Sequence, residues 1–384
     1  MSQTYLTNAR VVLEFETLED AAVLIEDGII AAINPYQANN AKEINLKGQT
    51  LIPGMIDLHC DALEKEVEPR PNVHFPLDFA CAQVDKRNAA AGVTTVFHAL
   101  SFANHELGVR NNAFAAEIAR AVHAWQPHAL VDNRVHCRYE VTDPTAPPLL
   151  LDLMSNNEVH LLSVMDHSPG QGQFKDIAAF RDYLSRTYKK STEELDVILA
   201  EKQQQAEGAF QRIEVLIEAA RGHGIRVASH DDDSAQKVEA LHSLGVSISE
   251  FPINIEAAQA AKALGMHTIF GAPNILRGKS QSGSMKALDA VKKKVADCLC
   301  ADYAPAALIV AVFQLPQLAD ISLADAVRLV SANAAHAAGL DDRGSIAVGK
   351  RADLVAVSQI NGLAQTSSVW TRGKLVYQVR FDHG

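Results

Sequence analysis

A histidine and six charged residues follow directly on an apolar stretch in LIPGMIDLHCDALEKEVEPRP (51–71): His59, Asp61, Glu64, Lys65, Glu66, Glu68 and Arg70. A solvated loop would explain the charges alone. A metal site at a strand end explains both the charges and the apolar run before them. Residues two apart in a strand face the same side, so His59 and Asp61 can point into one site. With 15 histidines and 46 acidic residues in 384, a His-x-acid triplet arises by chance about twice, so that spacing alone proves little. Taken singly, His59 reads as well as a salt-bridged structural histidine. It is accompanied, however, by His98, Glu140, Asp166-His167, His230-Asp231 and Asp302, each at the C-terminal end of a separate apolar run. Buried ionisable groups are costly unless paired or metal-bound, so their recurrence calls for a shared reason. Nitrogen and carboxylate donors without thiolates suit Zn²⁺, Mn²⁺ or a related divalent ion. His98 reads better as a core or supporting histidine than as a ligand.

Cations lie near the same run ends. Arg277 and Lys279 fall among glycine and serine in LRGKSQSG (276–283), a stretch whose backbone can approach phosphate oxygens closely. Lys65 and Arg70 follow the first run, and Arg138 precedes Glu140 by two residues, on the same strand face. Arginine grips phosphate with two parallel hydrogen bonds. Gly170 and Gly172 would let SPGQGQF (168–174) fold tightly against a ligand. The competing reading pairs Lys65 and Arg70 with Glu64, Glu66 and Glu68 on a solvated surface. No GxxxxGK[ST] spacing is present, so this is not a P-loop.

Eight short apolar runs could carry these groups: 50–59, 92–100, 133–141, 159–167, 225–233, 246–254, 267–274 and 297–305. Most are separated by helical patterns such as NAFAAEIARAVHAW (112–125) and SAQKVEALHSLG (234–245), the latter capped by Asp233 or Ser234 and stopped by Gly245. Strands alternating with helices predict a parallel (β/α)₈ barrel over 51–340, with the site on its C-terminal rim. The two ends read differently. Residues 1–50, with a turn near Asp27-Gly28, and 341–384 are strand-rich and predict one small β-sandwich domain assembled from both termini. The long spacer 175–224 is helical, with Ser191 and Glu194 forming a capping box. It reads as an enlarged barrel helix, a homodimer contact or a substrate lid.

A net charge of −11 disfavours nonspecific binding to nucleic acid or anionic membrane, while leaving room for an anionic small molecule in a local basic pocket. Five scattered cysteines without a CxxC pair indicate neither a disulfide framework nor a thiolate zinc site. The first residues show no signal peptide, and the longest apolar run, AALIVAVF (306–313), is too short to span a bilayer, so a cytoplasmic protein is expected.

IPGMIDLHCD (52–61) resembles the first-strand signature of the amidohydrolase superfamily, with His59-x-Asp61 where His-x-His is usual. VSANAAHAAGLDDRGSIAVGKRADLVAVS (330–358) is similar to that superfamily's return from the barrel into its β-sandwich. DLHCDALEKEVEPRP (57–71), VMDHSPGQGQF (164–174), ASHDDD (228–233), GAPNILRGKSQSG (271–283) and CADYAP (300–305) together resemble the PhnM family. That resemblance implies a hydrolase of phosphonate breakdown acting on a phosphorylated sugar phosphonate, α-D-ribose 1-methylphosphonate 5-triphosphate. Its products would be pyrophosphate and the 5-phosphate. It further implies His59, Asp61, His167 and His230 as ligands of two divalent ions (Zn²⁺ or Mn²⁺), Glu140 as a bridging carboxylate, and Asp302 as the proton-handling aspartate at the metal. Two other readings compete with it. A C–N hydrolase acting on a cyclic or acylated amide has less need of rim cations, and a noncatalytic scaffold has no reason to keep ionisable groups there.

Overall fold

The computed structural model describes residues 3–35, 38, 41–104, 111–166, 208–280 and 284–381. The eight predicted runs form β6 (Met55–Cys60), β7 (Val93–Phe102), β8 (Asp132–Glu140), β9 (Leu161–Met165), β10 (Arg226–His230), β11 (Ile248–Glu250), β12 (His267–Gly271) and β13 (Cys298–Cys300). They pair in sequence order, all parallel, as one sheet. That sheet closes on itself. Cys60 bridges Asp302 in parallel fashion, the Asp61 N–H donates to the Asp302 carbonyl at 2.7 Å, and the Asp302 N–H donates to the His59 carbonyl at 2.9 Å. This is the expected (β/α)₈ barrel.

Inside, the floor is apolar. Ile56 and Leu58 of β6, Phe97 of β7, Leu161 of β9, Ala228 of β10 and Ile248 of β11 pack with alanines of helix Ala332–Ala338, which plugs the N-terminal end. Because side chains alternate along a strand, the inward positions nearer the C-terminal ends are free to be polar without disturbing that floor. The outward-facing residues of the same strands, such as Val135, Cys137 and Tyr139 of β8, join the large core under the surrounding helices. Of those helices, Ala235–Ser243 starts where the sequence placed a cap, with the Ser234 hydroxyl accepting from the Lys237 N–H, and Gly245 follows at φ 104°. The spacer read as a lid, a dimer contact or an enlarged helix, with Ser191 and Glu194, lies mostly outside the described residues. Its end forms helix Ala209–Gly222.

Both termini build a second sheet. β1 (Gln3–Val12), β2 (Thr17–Glu26), β3 (Ile29–Ile33), β4 (Lys42–Asn45) and β5 (Thr50–Pro53) come from the start of the chain. β14 (Leu354–Ile360), β15 (Leu363–Thr371) and β16 (Lys374–Gln378) come from its end. The order is β16-β15-β14-β5-β1-β2-β3, with β4 on β1, and it is antiparallel except where β1 meets β4 and β5. The β2–β3 hairpin turns on Asp27-Gly28, both at positive φ, the conformation a tight two-residue turn requires. β5 pairs antiparallel with β14, so the strand leading into the barrel lies beside the strand leaving it.

Barrel and sheet are locked together by charge. Asp132, at the start of β8, receives Arg343 at 2.5 Å, Arg134 at 3.1 Å and Arg351 at 3.8 Å. Arg351 also donates to Asp353 at 2.7 Å, and Arg343 to the Thr95 hydroxyl of β7 at 3.1 Å. Burial opposes the charge on Asp132, but the three arginines hold its carboxyl down at about 2, from an ordinary 3.8. A depressed folded-state value means this stabilisation is fully present above about pH 4 and is lost as pH falls through about 2. We expect Asp132→Asn to lower unfolding free energy near neutral pH by about 2 kcal/mol, with the gap from wild type narrowing below about pH 3. Denaturant titrations across that range check it. A deficit that stays constant down to pH 2 contradicts this account.

Candidate active site

The polar mouth of the barrel is assembled strand by strand. On β8 the inward face runs His136, Arg138, Glu140, three polar residues two apart, while Val135, Cys137 and Tyr139 face out. β10 contributes His230 above Ala228, and β11 contributes Glu250 above Ile248, both in phase with the apolar floor. β6 reaches the mouth differently. Its register with β7 shifts between Asp57 and Cys60, so that Cys60 joins the outer core, whereas His59 faces the barrel axis. A bulge of this kind re-aims a side chain at a strand end. Asp57 anchors the bulge: its Oδ1 accepts from the His59 N–H at 3.2 Å and from the Ala301 N–H at 2.9 Å.

Three donors converge. His59, His230 and Glu250 each offer a ligand atom within 4.8 Å of the others, and all three are buried. Two imidazoles and a carboxylate without thiolate match the donor set of a catalytic Zn²⁺ or Mn²⁺ centre. His230 Nδ1 faces Asp231 at 3.3 Å, which leaves Nε2 turned toward the centre. A carboxylate on the far nitrogen fixes ring orientation in this way. The residues therefore fit a divalent ion.

The electrostatics show what such an ion would replace. Burial favours a neutral acid at Glu250, but the imidazoles of His136 and His59 outweigh it and hold the carboxyl down at about 2. Of these two rings His59 carries the charge. Burial works against an imidazolium there, yet Glu250 at 3.3 Å and Asp61 at 3.5 Å raise its pKa to about 10. Burial instead pushes His136 down to about 3. Its Nδ1 lies 3.1 Å from the Leu58 carbonyl, which only accepts, so Nδ1 carries the proton and Nε2 accepts from the Ser163 hydroxyl at 3.0 Å. Arg138 crosses the centre, with Nη1 3.4 Å from Asp61 Oδ1 and Nη2 3.3 Å from His230 Nε2. Burial raises the pKa of Asp302, and the Asp61 carboxylate adds to the rise. Phe251 closes the apolar side, its ring centroid 5.0 Å from that of His59 and 5.3 Å from that of His230. It holds φ +51°, an outlier for a bulky residue. Asp231 and Asp302 share this left-handed conformation at two other strand ends.

Of the residues singled out in the sequence, the structure brings His59, Asp61, Arg138, His230 and Asp302 to one mouth. Glu140 stands one pleat above Arg138, where its carboxylate accepts from the Thr142 hydroxyl at 3.0 Å, apart from the three-donor group. His167 lies outside the described residues, as do Gly170 and Gly172. His98 is turned away: Nε2 lies 2.8 Å from Asn133 Oδ1, and Asn133 is held in turn by Asp85 at 2.9 Å. Lys65 and Arg277 meet at the rim around Tyr303. Arg70 and Lys279 are exposed, Arg70 in a turn bridged to Val73, and among the described residues no contact ties either to that group. Two inward residues went unflagged by sequence reasoning, Glu250 and His136. Alternation alone could have found Glu250, since Ile248 and Glu250 share a face at the end of the sixth run.

With that geometry in view, the comparisons agree. The chain belongs to the amidohydrolase family, whose profile matches residues 50–376. Over 382 residues it is 34% identical to alpha-D-ribose 1-methylphosphonate 5-triphosphate diphosphatase of Escherichia coli (strain K12), covering 97% of this chain and all of that one. This is the PhnM family that the internal motifs resemble. Among solved structures, N-acetyl-D-glucosamine-6-phosphate deacetylase from Mycobacterium smegmatis superposes with a TM-score of 0.67 at 15% identity, covering 98% of this chain and 100% of that one. The Pasteurella multocida deacetylase superposes at 0.64 and 15% identity, covering 97% and 99%. These structures share the fold.

If Glu250 is a ligand, Glu250→Gln keeps the shape and removes the charge. Metal analysis of the purified variant should show its divalent-ion content reduced, with ion affinity at least about tenfold weaker. Full retention of metal by the variant would remove Glu250 from the centre.

Proposed function

We propose that this chain is a divalent-metal-dependent diphosphatase that hydrolyses α-D-ribose 1-methylphosphonate 5-triphosphate to the 5-phosphate and pyrophosphate. The observation that carries the reading is the cationic lining: a buried arginine, Arg138, among the metal-ligating candidates, with Lys65 and Arg277 above it on the rim. A triphosphate chain calls for cations at the mouth of the barrel, whereas a C–N hydrolase has less need of them. The full-length relative in Escherichia coli supports the same substrate.

In this proposal His59, His230 and Glu250 would hold one ion, and Asp61, Glu140 and His167 are the proposed ligands of a second. A divalent ion there supplies Lewis acidity, making hydroxide available near neutral pH. Zn²⁺ or Mn²⁺ fits, and the carboxylates at 61 and 250 favour the harder ion. Asp302, whose pKa is raised by burial and by the Asp61 carboxylate, would as a carboxylate accept the proton of the attacking water and return it to the departing pyrophosphate. Arg138 donates to a phosphoryl oxygen as negative charge builds there, and its desolvated position strengthens the effect. His136 stays neutral, its ring held between the Leu58 carbonyl and the Ser163 hydroxyl. Phe251 keeps bulk water off the His59 and His230 rings. Five buried free cysteines suit a reducing compartment, and among the described residues no helix is long and apolar enough to cross a membrane. The cysteines support a cytoplasmic location for this proposed enzyme.

The test is product release. Purified, metal-loaded protein should liberate pyrophosphate from the sugar phosphonate triphosphate and turn over cyclic or acylated amides poorly. Arg138→Ala should lower kcat/KM about a hundredfold or more. Arg277→Ala should raise KM about tenfold, the loss of one charged phosphate contact. Amide hydrolysis without pyrophosphate release would overturn the proposal in favour of C–N chemistry.

A further inference from the structure

Lys65 and Arg277 come from opposite sides of the barrel seam. Lys65 lies on helix Ala62–Val67, which follows β6, and Arg277 ends helix Ala272–Arg277, which follows β12. β13 lies between those two strands in the closed ring, so the loop that follows it is the segment able to touch both. Tyr303 occupies that loop. Lys65 Nζ stands over the Tyr303 ring, 4.6 Å from its centroid, and Arg277 Nη1 donates to the Tyr303 hydroxyl at 3.2 Å. Neither cation is within salt-bridge distance of a carboxylate among the described residues, unlike Arg138, which pairs with Asp61.

This is an unusual way to hold two positive charges. An aromatic face attracts an ammonium through its quadrupole, and a phenolic oxygen accepts from a guanidinium, but neither neutralises the charge. A cation–aromatic–cation bridge therefore fixes where the charges are and leaves them available to an anion. Its base is next to the reaction centre, because Tyr303 directly follows Asp302 and the Lys65 charge is felt at the Asp302 carboxyl.

We propose that Tyr303 is a positioning residue that builds a polyphosphate subsite from Lys65 and Arg277, taking the terminal phosphates of the substrate while Arg138 attends to the phosphorus under attack. This rests on the triphosphate reading above and adds the orientation of the chain: the departing pyrophosphate lies toward the β12–β13–β6 side of the mouth. No part of Tyr303 enters the bond-breaking step. Its loss should be felt in binding and in selectivity for phosphate-chain length, not in turnover.

Two substitutions dissect the bridge. Tyr303→Phe removes the hydroxyl that receives Arg277 and keeps the ring under Lys65; Tyr303→Leu removes both. For the sugar phosphonate triphosphate, KM should rise about threefold to tenfold in Tyr303→Phe and further in Tyr303→Leu, with kcat within about threefold of wild type. Inhibition by inorganic tripolyphosphate should weaken in parallel, and inhibition by inorganic monophosphate should be nearly unchanged. Lys65→Met added to Tyr303→Leu should cost less than the product of the separate effects, because the two act as a unit. Thermal unfolding of each variant identifies any loss due to misfolding, and Tyr303→Phe keeps the test intact should Tyr303→Leu not fold. Unaltered KM and tripolyphosphate inhibition in Tyr303→Phe and Tyr303→Leu would overturn the subsite. A fall in kcat at constant KM would overturn the positioning role. If wild type binds tripolyphosphate through Tyr303 but releases no pyrophosphate from the sugar phosphonate, the subsite stands and the substrate assignment falls.

Discussion

The mouth of this barrel depends on how its first and last strands are joined. β13 is three residues long and meets β6 through a single bridge, Cys60 to Asp302, flanked by two backbone hydrogen bonds. A ladder so short leaves backbone groups to be satisfied by other means, and Asp57 does this. One carboxylate oxygen accepts from the His59 N–H on the first strand and the Ala301 N–H on the last. Burial raises Asp57 to about 7, against the pull of those two N–H groups, which shows how fully the seam is removed from water. The consequence is positional: the strand that carries His59 and the strand that leads to Asp302 are tied at adjacent residues. Neither can move without the other.

That joint supports an arrangement which is electrostatically expensive without an occupant. Glu250 is wholly buried and charged, and in the absence of an ion its compensation is the His59 imidazolium. A buried ion pair seldom stabilises a fold over an apolar replacement of equal size, and the barrel floor one layer below shows that apolar packing is available here. The unfavourable backbone at Asp231, Phe251 and Asp302 adds to the same account. Buried charge at this rim, over an apolar floor, marks the part of the molecule shaped by its chemistry.

The sequence made the barrel legible because each strand overlaps one apolar run, and ionisable residues near the strand ends mark the rim. His59 and His230 could be read in that way. The β-sheet of the termini was legible through its turns, of which Asp27-Gly28 is one. What could not be read was the direction of a side chain at a bulge or beyond a strand end. His98 and His136 are both histidines on barrel strands, yet one turns to Asn133 and the other to the centre. Nothing local to either distinguishes them. Glu250 was hidden differently, since a lone glutamate after Ser249 resembles an exposed strand residue until its in-phase neighbour Ile248 is known to face the barrel axis. Tyr303 carried no signal at all, because its role exists only once β6 and β12 are known to flank β13.

A chain of net charge −11 that takes a polyanion must overcome its own field at the point of entry. Screening over about 8 Å at physiological ionic strength makes the distant acidic surface a weak opponent, so the local arrangement decides. Arg138 is balanced by Asp61 and thus contributes direction more than net charge. Among the described residues Lys65 and Arg277 have no such partner, and an aromatic ring lies between them on one short stretch of rim. On the proposed reading the two kinds of cation would divide the labour of binding: the rim pair would draw the phosphate chain in, and Arg138 would meet the phosphoryl group whose charge changes during hydrolysis. Selectivity for a triphosphate over an amide would then lie in the rim.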